Sequence, residues 1–488
     1  MIKCFITLSA GLLLVVNALL ADVRLPQIFA DGMVLQRHQP IVVWGWADPG
    51  EDVKVELNNQ MQETTAGTDG KWKLSLSPEE AGGPFQLVVS GQNTLSVSDV
   101  LIGEVWVCSG QSNMEWSVAN SNHAAQEIAN ANYPQIRHVK IPRTTAGVPL
   151  DDISEPLEWQ SANPQNVGGF TAVGYFYARE LYKELNVPIG LINTSWGGTM
   201  VETWISKEAL EKDKSLRKAV NVFEQIPADT INKNQQPNRY PTLLFNAMIN
   251  PLIPYTIKGA IWYQGESNAG RAYEYRKSFP MMIEDWRNRW GLGDFPFYFV
   301  QLASFKASGG TSAGGSSWAE LREAQHKTLS LPHTGQAITI DIGETDDIHP
   351  RNKQDVGKRL AAIALYDSYG YDVVYSGPVY KKLQIKGAQA TIHFDHVHSG
   401  LTAKGSTNVI GFEIAGADKQ FHPAEARIEG GTVVVSSPSV AKPKAVRYAW
   451  ADDPGKSNLF NKDGFPAAPF RTDKWTPITK DVVYELKE

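Results

Sequence analysis

The stretch Val105-Trp-Val-Cys-Ser-Gly-Gln-Ser112-Asn-Met114 contains a strand-to-turn step that is typical of an α/β sheet. Its apolar start predicts a buried strand, and the small polar residues that follow predict a turn that opens a helix. Such turns lie at the carboxyl edge of the sheet, where reactive side chains are presented. Ser112 is therefore a candidate nucleophile. The turn departs from the Gly-x-Ser-x-Gly elbow because Met114 replaces the second glycine, and the serine alone also fits a helix cap.

Three further segments, each rich in glycine and polar residues, follow predicted strands downstream. They are Asn193-Thr-Ser-Trp-Gly-Gly-Thr199, Trp262-Tyr-Gln-Gly-Glu-Ser-Asn268 and Asp341-Ile-Gly-Glu-Thr-Asp-Asp-Ile-His-Pro350. The carboxyl ends of strands in an open α/β sheet border a common crevice. We therefore expect the four segments to converge on one site.

These segments contain the residue types that acyl transfer by a serine requires. The nucleophile needs a base within hydrogen-bond reach, and the base needs a carboxylate that holds it in one tautomer. His349 is the candidate base. Asp346, three residues before the histidine, is the preferred carboxylate, because a single turn could bring the two side chains together. Asp347 is the second choice.

The negative charge that develops on the substrate oxygen needs preorganised N–H donors. Gly197 and Gly198 allow a backbone N–H to approach closely, and Gln264 or Asn268 can supply a side-chain amide. Asn113 and Glu266 are assigned to substrate binding together with Asn268. Two alternatives stay open: Asn113 braces the turn, and Glu266 supports residues of the site without contacting the substrate.

The strand and helix patterns divide residues 22–488 into three regions. Residues 22–102 show short strands separated by turn motifs, which predicts a β-sandwich or jelly roll. Residues 103–372 alternate strands with amphipathic helices, which predicts an α/β domain with a parallel sheet covered on both faces. Residues 373–488 return to β-strand patterns, and whether the two terminal β regions pair is left open.

Composition excludes some classes of partner. The net charge of −6 over 488 residues gives no electrostatic reason to bind nucleic acid or an anionic membrane. His393-Phe-Asp-His-Val-His398 contains metal-binding residue types, but on a strand they split between two faces, so we predict neither a metal site nor a cofactor. Cys108 ends an apolar strand and is interpreted as buried packing.

The N-terminus predicts export. Lys3 precedes the apolar segment 6–21, and Asp22 opens a polar chain, which is the layout of a cleaved signal peptide covering residues 1–21. No later apolar run reaches the length of about 18 residues that a membrane span needs. We expect a secreted protein, periplasmic or extracellular, with no membrane insertion after cleavage.

Several motifs resemble those of the sialate O-acetylesterases, a family of carbohydrate acetylesterases in the SGNH hydrolase superfamily. The matching stretches cover nearly the whole mature chain: Asp31–Arg37, Trp44-Gly-Trp46, Gly110-Gln-Ser112-Asn-Met, Trp196-Gly-Gly-Thr199, Trp262–Asn268, Ile348-His-Pro350 and Phe465–Arg471. One departure is that many superfamily members have a Gly-x-Asn-Asp block where this chain has Gln264-Gly-Glu266-Ser-Asn268. In view of that departure we favour Gln264 over Asn268 as the amide donor to the oxyanion.

The resemblance implies a fold, a reaction and residue roles. The fold would be a flavodoxin-like three-layer catalytic domain flanked by all-β regions. The reaction would be hydrolysis of O-acetyl esters on sialic acids through an acyl-enzyme, with Ser112 as nucleophile, His349 as base and Asp346 as its partner. The N–H groups of Ser112 and Gly198 would form the oxyanion hole. Two alternatives stay open: action on other acetylated glycans such as acetylxylan, and a non-catalytic glycan-binding protein. The oligomeric state is not predicted.

Overall fold

The computed structural model describes residues 22–225 and 236–485. The signal peptide predicted for residues 1–21 lies outside the described residues. Within the described residues, no helix combines the length and the apolar character that a membrane crossing requires.

The first seven strands build the N-terminal β region, and the last of them continues beyond it. They are β1 (Val34–Gln36), β2 (Ile41–Trp46), β3 (Asp52–Leu57), β4 (Gln60–Thr65), β5 (Lys71–Leu76), β6 (Gly82–Ser90) and β7 (Thr94–Gly110). β2 pairs with β5 in one sheet, and β4, β3, β6, β7 and β1 form a second. In β5 every second side chain is buried, as expected for strands with one face on a core.

β7 connects the N-terminal region to the central sheet. Its first half pairs antiparallel with β6, and its last seven residues pair parallel with strands of the α/β sheet. The remaining strands of that sheet are β8 (Tyr133–Lys140), β9 (Gln160–Ala162), β10 (Ile189–Ser195), β11 (Gly259–Tyr263), β12 (Phe297–Val300) and β13 (Thr334–Ala337). The boundary predicted between residues 102 and 103 falls inside β7 and stays a prediction.

The sheet order is β13-β12-β11-β7-β10-β8-β9, and all neighbours are parallel except β8 and β9. When the edge strands β8 and β9 are set aside, the remaining order is 2-1-3-4-5, which is the doubly wound flavodoxin order. The chain reverses its direction of travel across the sheet at β7, so the crevice at the carboxyl end of β7 is the expected binding position. The predicted flavodoxin-like fold with flanking all-β regions is confirmed.

Helices cover both faces of the sheet. They are α1 (Ser112–Glu115), α2 (Ala124–Ala129), α3 (Ala172–Leu185), α4 (Lys207–Leu210), α5 (Lys214–Gln225), α6 (Ala272–Trp290), α7 (Ser317–Lys327) and α8 (Lys353–Asp367). α3 packs against α8 on one face, and α6 packs against α7 on the other.

The side chains of β7 alternate between two cores. Val105 and Val107 are buried with α6 and α7, whereas Trp106 and Cys108 are buried with α3 and α8. All four are fully buried, which explains why this stretch is continuously apolar rather than alternating. Burial raises the pKa of the Cys108 thiol, so the side chain is protonated and serves as packing.

A second β region follows α8. It contains β14 (Val379–Lys386), β15 (Gln389–Asp395), β16 (Leu401–Ala403), β17 (Phe412–Ala415), β18 (Phe421–Pro423), β19 (Glu425–Glu429), β20 (Thr432–Ser436), β21 (Ala445–Tyr448), β22 (Leu459–Asn461) and β23 (Phe470–Arg471). Among the strands of residues 22–225 and 236–485, none of this region pairs with the N-terminal β region. The two terminal regions are therefore separate sheets.

The C-terminal β region is fixed to the α/β domain by buried polar groups. The guanidinium of Arg322 in α7 donates to the carbonyl oxygens of Leu302 and Ala303 and also to those of Ala451 and Asp452. The carboxylate of Asp452 in turn accepts three hydrogen bonds from Ser308 and Gly310. These contacts anchor the glycine- and serine-rich segment 307–317 to the C-terminal region.

Two elements end differently from the sequence pattern. The apolar run at residues 337–342 predicts a strand, but β13 already ends at Ala337, so an irregular segment leads to His349. The sequence pattern at residues 242–248 predicts a helix, and the structure has a π-helical turn there, Phe245–Ile249, that is followed by Pro251. Periodicity predicts helices over residues 175–185, 275–290 and 351–369. These are α3, α6 and α8, with ends shifted by at most three residues.

Candidate active site

Ser112 lies at the point where the central strand ends. Gly110, the last residue of β7, has φ +133°, and a Cβ there would lie 2.2 Å from the carbonyl oxygen of Tyr263 in β11. Only glycine fits this close approach of two backbones. The N–H of Gln111 then donates to the same carbonyl at 3.0 Å, and α1 begins at Ser112. The sharp exit leaves the serine partly exposed at the carboxyl edge of the sheet.

The structure brings Ser112 and His349 together although they are 237 residues apart. The Nε2 atom of His349 lies 2.8 Å from the Oγ of Ser112. The indole of Trp116 stacks on the imidazole, with ring centroids 4.9 Å apart. Burial lowers the pKa of His349, the positive charge of Lys353 lowers it further, and Asp347 opposes both effects. The imidazole is therefore held in its neutral form, which is the form that can accept a proton.

The carboxylate beside His349 belongs to Asp347 and not to Asp346. The Oδ1 of Asp347 lies 3.7 Å from Nδ1 of the imidazole and accepts the backbone N–H of His349 at 2.8 Å. Residues 344 and 347 form a β-bridge that closes a tight turn, and Asp346 is exposed at its tip. The geometry therefore favours the second choice of the sequence analysis, because the turn directs Asp346 to solvent.

The backbone around Gly197 and Gly198 lies against the serine. A Cβ on Gly197 would lie 3.2 Å from the Cβ of Ser112, and Gly198 has φ +74°, a conformation that favours glycine. In the described part of the chain, neither the N–H of Ser112 nor that of Gly198 has a protein acceptor. These two donors are free for a ligand atom.

Two side chains fix the backbone on either side of Gly197, and only Asn238 bonds the peptide that joins it to Gly198. Glu115 accepts the N–H of Gly197 at 3.0 Å, and Asn238 donates from Nδ2 to the carbonyl of Gly197 at 2.9 Å. In a trans peptide the carbonyl and the following N–H point in opposite directions. Asn238 therefore sets the direction of the Gly198 N–H. Arg143 in turn holds Glu115 through hydrogen bonds from its guanidinium.

Gln264 and Asn268, the two candidate amide donors, are buried and occupied. The Nε2 of Gln264 donates to the carbonyl of Thr199 at 3.1 Å and to Oδ1 of Asn268 at 2.7 Å, and its Oε1 accepts from Tyr275. The Nδ2 of Asn268 donates to both carboxylate oxygens of Glu202. Both side chains are buried, so neither amide reaches the crevice where the oxyanion would form. Both side chains brace the loops that carry the site, and the substrate role predicted for Asn268 has no exposed atom to support it.

Asn113 also points into the protein rather than into the crevice, and the carboxylate of Glu266 is hydrogen-bonded to it. Asn113 is 1% exposed, and its Nδ2 donates to Oε1 of Glu266 at 2.6 Å and to the carbonyl of Ile348 at 2.9 Å. The Nζ of Lys353 donates to Oδ1 of Asn113 at 2.5 Å. The structure thus gives Asn113 the bracing role that the sequence left open.

Sequence reasoning missed five residues that surround the dyad or its donors: Glu115, Trp116, Arg143, Asn238 and Lys353. Glu115 and Trp116 follow the serine within four residues, so proximity to the motif was an available signal. Asn238 and Lys353 lie in segments without a recognised motif. For these two, the sequence carried no signal beyond residue type.

No metal site emerges from the histidine-rich segment. β15 ends at Asp395, whose carboxylate pairs with Lys381, and His393 contacts Gln384. In residues 22–225 and 236–485, no group of three or more His, Cys, Asp or Glu side chains is arranged to hold a metal ion.

Comparison with known proteins identifies the family. The family model for carbohydrate esterases described as sialic acid-specific acetylesterases matches residues 102–366. The sialate O-acetylesterase of Homo sapiens is 32% identical over 501 residues, covering 92% of each chain. The sialate O-acetylesterase of Mus musculus is 33% identical over 420 residues, covering 75% of this chain and 77% of the relative.

A solved structure extends the relationship to the whole fold. The crystal structure of a carbohydrate acetylesterase from Xanthomonas citri is 45% identical, superposes with a TM-score of 0.86, and covers 93% of this chain and 100% of that chain. The resemblance found from the motifs is thereby confirmed, and the chain is a carboxylic ester hydrolase. It belongs to the sialic acid-specific acetylesterase family of carbohydrate esterases.

Proposed function

We propose that the protein removes O-acetyl groups from sialic acids by a serine esterase mechanism with an acyl-enzyme intermediate. The observation that carries the proposal is the 2.8 Å contact between the Oγ of Ser112 and the Nε2 of His349 at the carboxyl edge of the sheet. A serine hydroxyl is a weak nucleophile at neutral pH, and an adjacent neutral imidazole activates it. Burial and Lys353 both lower the pKa of His349 and so keep the base unprotonated.

Acylation begins when the Oγ of Ser112 attacks the acetyl carbonyl carbon and its proton passes to Nε2 of His349. For Nε2 to accept that proton, the other proton of the ring must be on Nδ1, which faces Asp347. The carboxylate of Asp347 therefore favours the productive tautomer and stabilises the imidazolium that forms. The distance between Oδ1 of Asp347 and Nδ1 of His349 is long, and both side chains are partly exposed. We therefore expect Asp347 to contribute less to the rate than a buried triad carboxylate does.

The tetrahedral intermediate carries its negative charge on the former carbonyl oxygen. The unoccupied N–H groups of Ser112 and Gly198 are the proposed donors to that oxygen. Losing one such donor typically costs about 3 kcal/mol of transition-state stabilisation. When the intermediate collapses, imidazolium returns the proton to the sugar oxygen, which leaves as a hydroxyl. Water, activated by the same imidazole, then releases acetate from Ser112.

The substrate assignment rests on the relatives. Human and mouse proteins named sialate O-acetylesterase match most of this chain, which favours O-acetylated sialic acid. The relative from Xanthomonas citri is named only as a carbohydrate acetylesterase, and it is the more similar of these in sequence. A broader specificity that includes acetylxylan is therefore the second candidate. We also propose export through the signal sequence of residues 1–21, which implies that the substrate is a glycan outside the cytoplasm.

The experiment measures acetate release from O-acetylated sialic acid and from acetylxylan by the wild type, Ser112→Ala and Ser117→Ala. Ser117 lies on the same segment, and its Oγ accepts from Asn120 rather than contacting His349, so it is a matched control. We expect Ser112→Ala to abolish turnover on both substrates and Ser117→Ala to retain it. Turnover by Ser112→Ala would overturn the mechanism. Faster release from acetylxylan would replace the substrate, and sugar binding without turnover would indicate a non-catalytic glycan-binding protein.

A further inference from the structure

A buried lysine lies behind the Ser112–His349 pair. Lys353 is the first residue of α8 and is fully buried. A buried ammonium is costly to hold, and the first turn of a helix adds the unfavourable positive end of the helix dipole. The pKa of Lys353 is accordingly lowered to about 7, chiefly by burial. A group held at that cost calls for a role beyond its effect on the pKa of His349.

Asn113 connects Lys353 to a buried carboxylate. The Oδ1 of Asn113 accepts from Nζ of Lys353 at 2.5 Å, and its Nδ2 donates to Oε1 of Glu266 at 2.6 Å. Among the described residues, the lysine and the glutamate form no direct ion pair, and Oε2 of Glu266 is buried without a partner. The cation faces the oxygen end of the amide, and the carboxylate faces its nitrogen end. The two charges therefore fix the orientation of the Asn113 amide.

The oriented amide has one N–H left, and it reaches the loop of the base. That N–H donates to the carbonyl of Ile348 at 2.9 Å. Asn113 directly follows Ser112, and Ile348 directly precedes His349. The hydrogen bond therefore links the turn of the nucleophile to the loop of the base, one residue away from each reacting side chain. If the Asn113 amide flipped, its hydrogen bond to the carbonyl of Ile348 would be lost and an N–H would face the ammonium of Lys353.

We infer that Lys353 and Glu266 are positioning residues of the esterase reaction that act through the amide of Asn113, which holds the His349 loop against the Ser112 turn. The inference rests on the proposed function. The contacts between Ser112 and His349 demand precision, because a displacement of about 1 Å can cost about a hundredfold in rate. Neither Lys353 nor Glu266 touches the reacting atoms.

A structural role alone would not move the pH profile, whereas this arrangement does. The charged groups that act on His349 are Lys353 and Asp347, and those that act on Lys353 are Glu266, Asp347 and Glu344. Below pH 7 Lys353 is charged and lowers the pKa of His349. Removing that charge raises the pKa of His349. The acidic limb of kcat/KM, which follows the loss of neutral imidazole, then moves to higher pH.

The test compares Lys353→Met with Lys358→Met, which removes an exposed lysine from the same helix. We expect kcat of Lys353→Met to fall by about tenfold or more, KM to change by less than about twofold, and the acidic limb to move to higher pH. Lys358→Met should match the wild type. A Lys353→Met enzyme that keeps the kcat of the wild type, or one whose acidic limb is unshifted, would overturn the inference.

A second variant separates this result from misfolding and from failure of the proposed function. Lys353→Gln keeps an N–H that can donate to Asn113 but removes the charge, and thermal unfolding reports whether each variant folds. If Lys353→Met does not fold, the acidic limb of Lys353→Gln decides: an upward shift supports the inference and an unchanged limb overturns it. Retained turnover by Ser112→Ala refutes the proposed function instead, and that result is independent of both lysine variants.

Discussion

Trp116 stacks on His349 with the two ring planes inclined by only 13° and the centroids 4.9 Å apart. The indole covers one face of the base, and its Nε1 is fixed by donation to the carbonyl of Asn120 at 2.9 Å. The tryptophan thus restricts the imidazole to one plane and contributes to the burial that lowers its pKa.

Truncation of Trp116 should therefore affect both rate and pH dependence. We expect Trp116→Ala to lower kcat by about tenfold, because the imidazole gains rotational freedom. Exposure of the ring should raise the pKa of His349 toward its ordinary value, so more of the base is protonated at pH 5.5 and the loss of activity is larger there than at pH 7.5. Trp116→Phe, which keeps an aromatic face, is the control. A pH-independent loss would contradict this account of the pKa.

The two neighbouring aspartates should differ in effect. Asp347→Asn removes the carboxylate 3.7 Å from Nδ1 of His349, whereas Asp346 is exposed at the tip of the turn. We expect kcat to fall by about tenfold to a hundredfold in Asp347→Asn, less than for a buried triad carboxylate, and by less than about twofold in Asp346→Asn. Steady-state kinetics on an activated acetate ester measures both. The reverse ranking would restore Asp346 as the partner of the base.

The peptide that presents the Gly198 N–H should depend on Asn238. Asn238→Ala removes the donor to the carbonyl of Gly197, so the peptide can rotate away from its present orientation. We expect kcat to fall by about tenfold to a hundredfold with little change in KM, because an oxyanion donor acts chiefly in the transition state. Asn166→Ala is a matched control, because it removes a partly buried amide that donates to the carbonyl of Ser161. A loss confined to KM would assign Asn238 to substrate binding.

The layout of the site followed from sequence because strand order fixes it. Four motifs that follow strands converge at the carboxyl edge of a doubly wound sheet, so Ser112 and His349 could be paired across 237 residues. The choice between Asp346 and Asp347 could not be made, because it depends on the β-bridge between residues 344 and 347 that closes the turn. No periodicity encodes that bridge.

The roles of amide side chains were equally beyond sequence patterns. Gln264 and Asn268 have the chemistry of oxyanion donors, yet their N–H groups bond to Thr199, Asn268 and Glu202. Whether an amide faces a crevice or a core is decided by tertiary packing, which motif spacing does not report. The burial of Lys353 at the start of α8 is a further example, since an N-terminal helix position ordinarily exposes a lysine.

The energetic link between Lys353 and Glu266 can be measured with a double-mutant cycle. Lys353→Met leaves the glutamate without its cation, and Glu266→Gln leaves the lysine without its carboxylate, whereas the double variant removes both charges. Since the Asn113 amide joins the two groups, we expect the two single-variant losses in the free energy of unfolding to add up to about 0.5–3 kcal/mol more than the loss in the double variant at pH 6.

Lys353 has a pKa of about 7 in the folded protein, below its ordinary value of 10.5. Between these two pKa values the lysine is protonated in the unfolded chain but largely neutral in the folded protein. The free energy of unfolding therefore rises as pH rises above 7. The coupling energy measured by denaturant unfolding should accordingly be smaller at pH 9 than at pH 6. Additivity within about 0.3 kcal/mol at pH 6 would mean that the two charges act independently.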